Sequence, residues 1–160
     1  MNTVKRVPTD YGTVTPYLNI RGAAAAIEFY RQAFGATELY RLSMPDGGIA
    51  HAEIKIGDSK IMLSEEDEQW GNKSPLTLNG SPVSLCLYVD DVDAVYATAL
   101  ALGATTLGEP AVKDQFYGDR TGSIVDPFGH RWTIMTHIEN VSLEEVKKRA
   151  DAMFSQPPSS

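Results

Sequence analysis

Asp126-Pro127-Phe128-Gly129-His130-Arg131-Trp132-Thr133-Ile134-Met135 decides how this chain folds, because a tight turn there runs straight into an alternating strand. Pro127 fixes φ and Gly129 tolerates a positive φ, which together make the turn. Beyond it Trp132 and Ile134 face one way while Arg131, Thr133 and Met135 face the other. One face is apolar and the other mixed. The mixed face is where binding or chemistry is expected.

Outward from that strand, the same alternation recurs along the chain. Val14, Pro16, Leu18 and Ile20 oppose Thr15, Tyr17 and Asn19; Ala50, Ala52, Ile54 and Ile56 oppose His51, Glu53 and Lys55. Ile61 and Leu63 oppose Lys60, Met62 and Ser64, and Val83, Leu85, Leu87 and Val89 oppose Ser84, Cys86 and Tyr88. Helical spacing appears in Ala23, Ile27, Tyr30 and Phe34 before Gly35, and in Val92, Val95, Tyr96, Ala99 and Leu102 before Gly103. Shorter strands are expected at residues 37–41 and 105–107, with an irregular stretch at 116–120. Residues 1–11 read as a loose arm. A capping box at Ser142-Leu143-Glu144-Glu145 opens a last helix with Leu143, Val146, Ala150 and Met153 on one stripe, stopped by Pro157.

Ala33-Phe34-Gly35-Ala36-Thr37 returns as Ala101-Leu102-Gly103-Ala104-Thr105, each time after a strand and a helix. That order implies a duplicated βαβββ unit. The fold class is therefore α+β, with two βαβββ modules joined into a half-barrel cup, helices on the apolar outer face, and a C-terminal helix added. The expected organisation is one domain over residues 1–140, with repeats at 13–64 and 83–137 and a linker at 65–82. Residues 141–160 form the C-terminal helix and tail. The linker is acidic, then rich in Asn, Gly, Ser and Pro, and a connection of that length is usually functional or disordered. Trp70 stands in it, either covering the cup or meeting a partner chain.

The 160 residues suffice for a real core, and a net charge of −7 with pI near 4.9 argues against nucleic-acid or anionic-membrane surfaces. No apolar run approaches the roughly 20 residues of a spanning helix. Cys86 is the single cysteine, so no intramolecular disulfide forms, and a reducing, cytoplasmic setting is expected.

Ala26-Ile27-Glu28-Phe29-Tyr30 with Phe34-Gly35, Asp126-Pro127-Phe128-Gly129-His130 and the duplicated pattern together resemble the vicinal oxygen chelate superfamily, the glyoxalase, bleomycin-resistance and extradiol-dioxygenase group. His51-Ala52-Glu53-Ile54, Tyr88-Val89-Asp90-Asp91-Val92 and Gln115-Phe116-Tyr117-Gly118-Asp119-Arg120 resemble its PhnB-like branch. The resemblance implies a homodimer that holds a small molecule. In metal-dependent members a His or Glu on the first and last strand of each unit converges on a divalent ion. Aligned on that pattern, the four positions here are Thr15, Met62, Ser84 and Thr133, none a good ligand for Zn, Ni or Fe(II). No metal or other cofactor is therefore expected, apart from a displaced cluster of His51, Glu53 and His137.

Two functions follow. The first is a metal-free cup for a small organic molecule, lined by Tyr17, Met62, Ser84, Cys86, Tyr88, Thr133 and Met135, with Phe116, Tyr117, Asp119 and Arg120 as a gripping loop on the rim. The alternative for that loop is a self-satisfied turn in which Asp119 pairs with Arg120. The second function is a lyase or isomerase in which Glu53, with His51, acts as general base, its pKa raised by a half-apolar setting. Cys86 is either a nucleophile or, as a mid-strand cysteine, an inert core side chain. Trp132 reads as core and His130 as a turn residue. The last helix serves as a dimer arm or packs on its own domain.

Overall fold

A computed structural model describes residues 4–109 and 111–155, so the helix stop at Pro157 and the start of the N-terminal arm lie outside the described residues. The chain divides into two compact units, Met1–Pro82 with Asp126–His130, and Val83–Val125 with Arg131–Ser160. Each is an α+β layer built on its own open sheet.

In the first unit the chain runs β1 (Tyr17–Ile20), α1 (Ala23–Phe34), β2 (Thr37–Ser43), β3 (Ile49–Ile56), β4 (Ser59–Glu65) and α2 (Pro75–Leu78). The sheet order is β1-β4-β3-β2, with β1 parallel to β4 and the other neighbours antiparallel. Helix α1 forms because its Ala-rich sequence costs little to order and puts Ala26, Ile27, Tyr30 and Phe34 on one buried face. Gly35 ends it at φ 67, a left-handed conformation that glycine adopts without strain.

Two expectations need correction here, and a third is decided between its alternatives. Strand β1 is shorter than its alternation suggests: Val14 is 87% exposed, and Pro16, with no N–H, contributes only its carbonyl, to Met62. In β3 the core position belongs to Ile49, while Ala50 is exposed, because a register shift beside Leu42 and Ser43 slips the parity. The 65–82 connection is ordered: Asp67 and Asn72 exchange backbone hydrogen bonds, and Ser74 caps the single turn of α2.

The turn at residues 126–130 belongs to this first unit. Asp126 Oδ1 accepts from the backbone N–H of Phe128 and of His130, which closes the turn. Its Oδ2 accepts from the buried Tyr30 hydroxyl at 2.7 Å. Phe128 packs edge-on against Phe29 and Tyr30 of α1. His130 is more than a turn residue, being buried, and burial pushes its imidazole below the ordinary value despite the charge of Asp126 and a hydrogen bond to the Asn19 backbone.

The second unit comprises β5 (Ser84–Tyr88), α3 (Val92–Ala101), β6 (Thr105–Thr106), β7 (Lys113–Asp114), β8 (Asp119–Val125), β9 (Arg131–His137) and α4 (Leu143–Phe154). Its sheet order is β5-β9-β8-β6, with β7 paired to β8. Asp91 caps α3 through Ala94 N–H, and Ser142 caps α4 through Glu145 N–H. Trp132 and Ile134 are buried as their parity requires. Helix α4 buries none of its residues, although Phe154 meets Phe116 edge-on and Arg149 holds Glu139 and the Phe116 carbonyl. Among the described residues no helix is long and apolar enough to cross a membrane.

Replacing Tyr30 by Phe removes the hydroxyl from Asp126 while keeping the ring. Because the acceptor is charged and buried, the expected loss is about 1.5–3 kcal/mol, read from urea unfolding at neutral pH.

Candidate functional site

Besides Asp126, two buried carboxylates organise polar side chains, Glu53 in the first unit and Asp119 in the second. In the first, neighbouring strands bring Tyr17, Glu53 and Met62 together: Met62 is the register partner of both Tyr17 and Glu53. Glu53 is only 3% exposed. Its oxygens accept from Tyr11 at 2.7 and 2.9 Å and from Tyr40 at 2.9 Å, and His51 Nε2 lies 3.5 Å away. Tyr17 Oη in turn sits 3.2 Å from His51 Nδ1.

The raised pKa expected for Glu53 is not what this environment produces. Burial does push its carboxyl up, but the hydrogen bonds from Tyr11, Tyr40 and His51 outweigh burial and hold it below the ordinary value. The same contacts act oppositely on the phenols. Tyr11, donating to Glu53, is pushed up to about 12, and Tyr40 is raised as well. Glu53 is thus a saturated, ionised acceptor and a poor proton acceptor.

In the second unit the corresponding group is Asp119. It is buried at the start of β8, accepting from Tyr88 at 2.8 Å and lying 2.7 Å from His137 Nδ1. His137 Nε2 is 3.0 Å from Asn140 Oδ1. Burial raises the Asp119 carboxyl, yet His137 and Tyr88 together lower it below its ordinary value, and Asp119 and Asn140 raise His137.

The sequence-level rim loop is therefore half strand. Phe116 and Tyr117 stack edge-on ahead of Gly118, whereas Asp119 and Arg120 already belong to β8. Arg120 is bound by both oxygens of Asp93 and by Asp114, which removes it from ligand duty and excludes an Asp119–Arg120 pair. Ser84 lies beside Arg131, Cys86 beside Thr133, and Tyr88 beside Met135. Thr133 shares a hydrogen bond with Ser123, and Met135 is buried. Cys86 corrects the core expectation: its thiol is exposed.

A cavity of about 240 Å³ opens in the first unit, lined by Tyr17, Met44, Ile49, Ala50, Ser64, Glu65, Glu66, Asp67, Trp70 and Asn72. Of the residues expected from sequence, Tyr17, Ser64 on the mixed face of β4 and the covering Trp70 line it. Most of the rest come from the β4 end and the 65–82 connection, where the stranded Trp70 in an acidic run was the available signal. That wall is pinned. Glu65 accepts from the N–H groups of Gly22 and Ala23 at the start of α1, and Glu66 is held down to about 2 by Thr77, Arg21 and Ser74.

The metal positions read from sequence also shift. Thr15 precedes β1, and its hydroxyl donates to the Gly12 carbonyl. The parallel pairs are Tyr17 with Met62 and Cys86 with Thr133, so the first-strand position moves by about one inward-facing residue in each unit. A phenol, a thioether, one thiol and a hydroxyl do not fit a divalent centre of the family's kind. Among the described residues no three His, Cys, Asp or Glu side chains are placed to hold a metal ion. His137, the third member of the displaced cluster, is taken up by Asp119 and Asn140.

Duplicated βαβββ units of this kind define a glyoxalase-like fold. The chain belongs to the glyoxalase/bleomycin resistance protein/dioxygenase superfamily, whose family model matches residues 12–134. The Mycobacterium tuberculosis protein Rv0887c is 42% identical over 146 residues, 89% of this chain and 83% of that one. The PhnB protein from Bacillus cereus has a similar structure, with a TM-score of 0.61 at 17% identity, covering 78% of this chain and 99% of that one. FosX, a fosfomycin resistance protein of Listeria monocytogenes complexed with Mn(II) and sulfate, gives 0.61 at 20% identity over 87% and 97% of the two chains. At such identities the two structures establish the shared fold alone.

The Asp119–His137 link makes a pH-bounded contribution to stability. Asp119 is lowered, so its share is present above the ordinary aspartate value of about 3.9 and is lost as pH falls through the folded value. His137 is raised, so its share is full below about 6.5 and is lost as pH rises through the folded value. In an NMR titration His137 should have its midpoint above about 6.5 and return toward that value in Asp119→Asn.

Proposed function

We propose that this protein binds a small organic molecule in the first unit's cavity, without the divalent metal used by other members of its superfamily. The cavity carries the reading: Tyr17, Met44 and Trp70 line it together with Glu65, Glu66 and Asp67. Such a mixture of apolar surface and a few placed polar groups suits a small ligand. In the second unit Cys86, Tyr88 and Tyr117 keep exposed side chains, whereas Asp119 and Arg120 are engaged by protein partners. A lyase or isomerase with Glu53 as base is the weaker reading, because that carboxylate is ionised, buried and already accepting from two phenols. The proposal includes a homodimer, for which Leu143, Met153 and Phe154 of α4 offer uncovered apolar surface.

Trp70 supplies the test, since it is 82% exposed while the other tryptophan, Trp132, is buried. A set of small amines and neutral aromatics, titrated against Trp fluorescence, should include compounds that quench Trp70. Trp70→Ala should then weaken binding about tenfold, a change of about 1.4 kcal/mol. Glu53→Gln should lower the melting temperature yet leave the dissociation constant within about threefold, given that Glu53 does not line the cavity. Turnover of a bound compound that falls by a large factor in folded Glu53→Gln would return the enzyme reading to first place.

A further inference from the structure

We propose that Tyr17, His51 and Glu53 form a proton relay in which the Tyr17 hydroxyl is the reacting acid–base group of the first unit's cavity. The substrate rests on the cavity reading above, but the chemistry rests on separate geometry. Glu53 is ionised and can only accept, so His51 Nε2, 3.5 Å from it, carries the imidazole hydrogen. The lone pair is then on Nδ1, 3.2 Å from Tyr17 Oη and placed to take its proton. The imidazole is flanked by the rings of Tyr17 and Tyr40, with centroids 5.6 and 5.8 Å away, and the Tyr40 hydroxyl is itself tied to Glu53. Tyr17 is the member that lines the cavity.

The step balances within the site. As the Tyr17 proton passes to His51 Nδ1, the phenolate oxygen takes a proton from the substrate. The reverse transfer returns a proton to a different substrate atom. The net change is an isomerisation that consumes no oxidant, reductant or second reactant. Trp70 on the same wall favours a substrate with an aromatic or cationic group, while the carboxylates of Glu65 and Glu66 are already held by the α1 N–H groups and by Arg21. Tyr17 is the catalytic residue; His51 and Glu53 act through it as positioning residues.

The test uses the full chain and N-acetylimidazole at neutral pH, with acetylation of each tyrosine followed by peptide mass spectrometry. The acetyl–nitrogen bond of the reagent breaks, an acetyl–Oη bond forms, and imidazole leaves with a proton. Tyr88 is the internal reference, being more exposed than Tyr17 and donating to a carboxylate rather than to an imidazole. Tyr17 should react about a hundredfold faster than Tyr88, the low end for a positioned general base. His51→Asn should abolish that excess and Glu53→Gln should reduce it, with the Tyr88 rate unchanged in both. A loosened fold would instead raise labelling at every tyrosine, so the two effects have opposite signs. Equal labelling of Tyr17 and Tyr88 in the unaltered protein, or an excess that survives His51→Asn, overturns the relay. Because the reagent is not the cavity's ligand, a failed fluorescence titration leaves this result standing, and a failed relay leaves the binding reading intact.

Discussion

The hydrogen bond from Tyr30 to Asp126 is the constraint on which much of this structure depends. A buried carboxylate is costly unless its lone pairs are used, and Asp126 uses them on two backbone N–H groups and one phenol. The turn they close presents Phe128 to α1, whose Phe29 and Tyr30 rings receive it edge-on. It also brings Gly129 against Pro75: a Cβ there would stand 2.9 Å from the proline ring, so the turn helps to seat α2. Through α2 and Ser74 the constraint reaches Glu66, and through Glu66 the acidic wall of the cavity.

Glu53 and Asp119 solve the same electrostatic problem in the same way. Each is a carboxylate on the strand next to last in its sheet-forming run, β3 or β8, deeply buried, and held ionised by phenol and imidazole groups instead of by a lysine or arginine. Phenols donate one strong hydrogen bond without adding a charge, so ionisation of the acid is favoured while the tyrosines become harder to ionise. The arginines are used elsewhere, on exposed partners such as Asp93 and Glu139.

Much of the fold was legible because it follows from period. The apolar stripe of α1, the alternation around Trp132 and Ile134, and the Gly35 and Gly129 punctuation all survive into the structure. What period could not register was geometry that breaks parity. The shift beside Leu42 and Ser43 exchanges Ala50 for Ile49, and Gly122, lying under the Tyr96 ring, hides a strand that begins at Asp119. The site was harder to read for a different reason. Its residue types were visible, but the sign of the Glu53 shift depends on hydroxyls from Tyr11 and Tyr40, distant in sequence, and part of the cavity wall lies in a segment with no periodicity at all.

The assignment of residues 126–130 to the first unit also bears on the order in which the chain can fold as it is made. Tyr30 and Asp126 are 96 residues apart, so the first unit lacks Phe128 and the Asp126 carboxylate until most of the second unit has left the ribosome. Synthesis at roughly 5–20 residues per second leaves α1 waiting for several seconds with the aromatic face meant for Phe128 unsealed. A nascent chain of this protein therefore passes through an interval in which the α1 face that receives Phe128 has no partner from the turn, and that interval closes when the turn emerges.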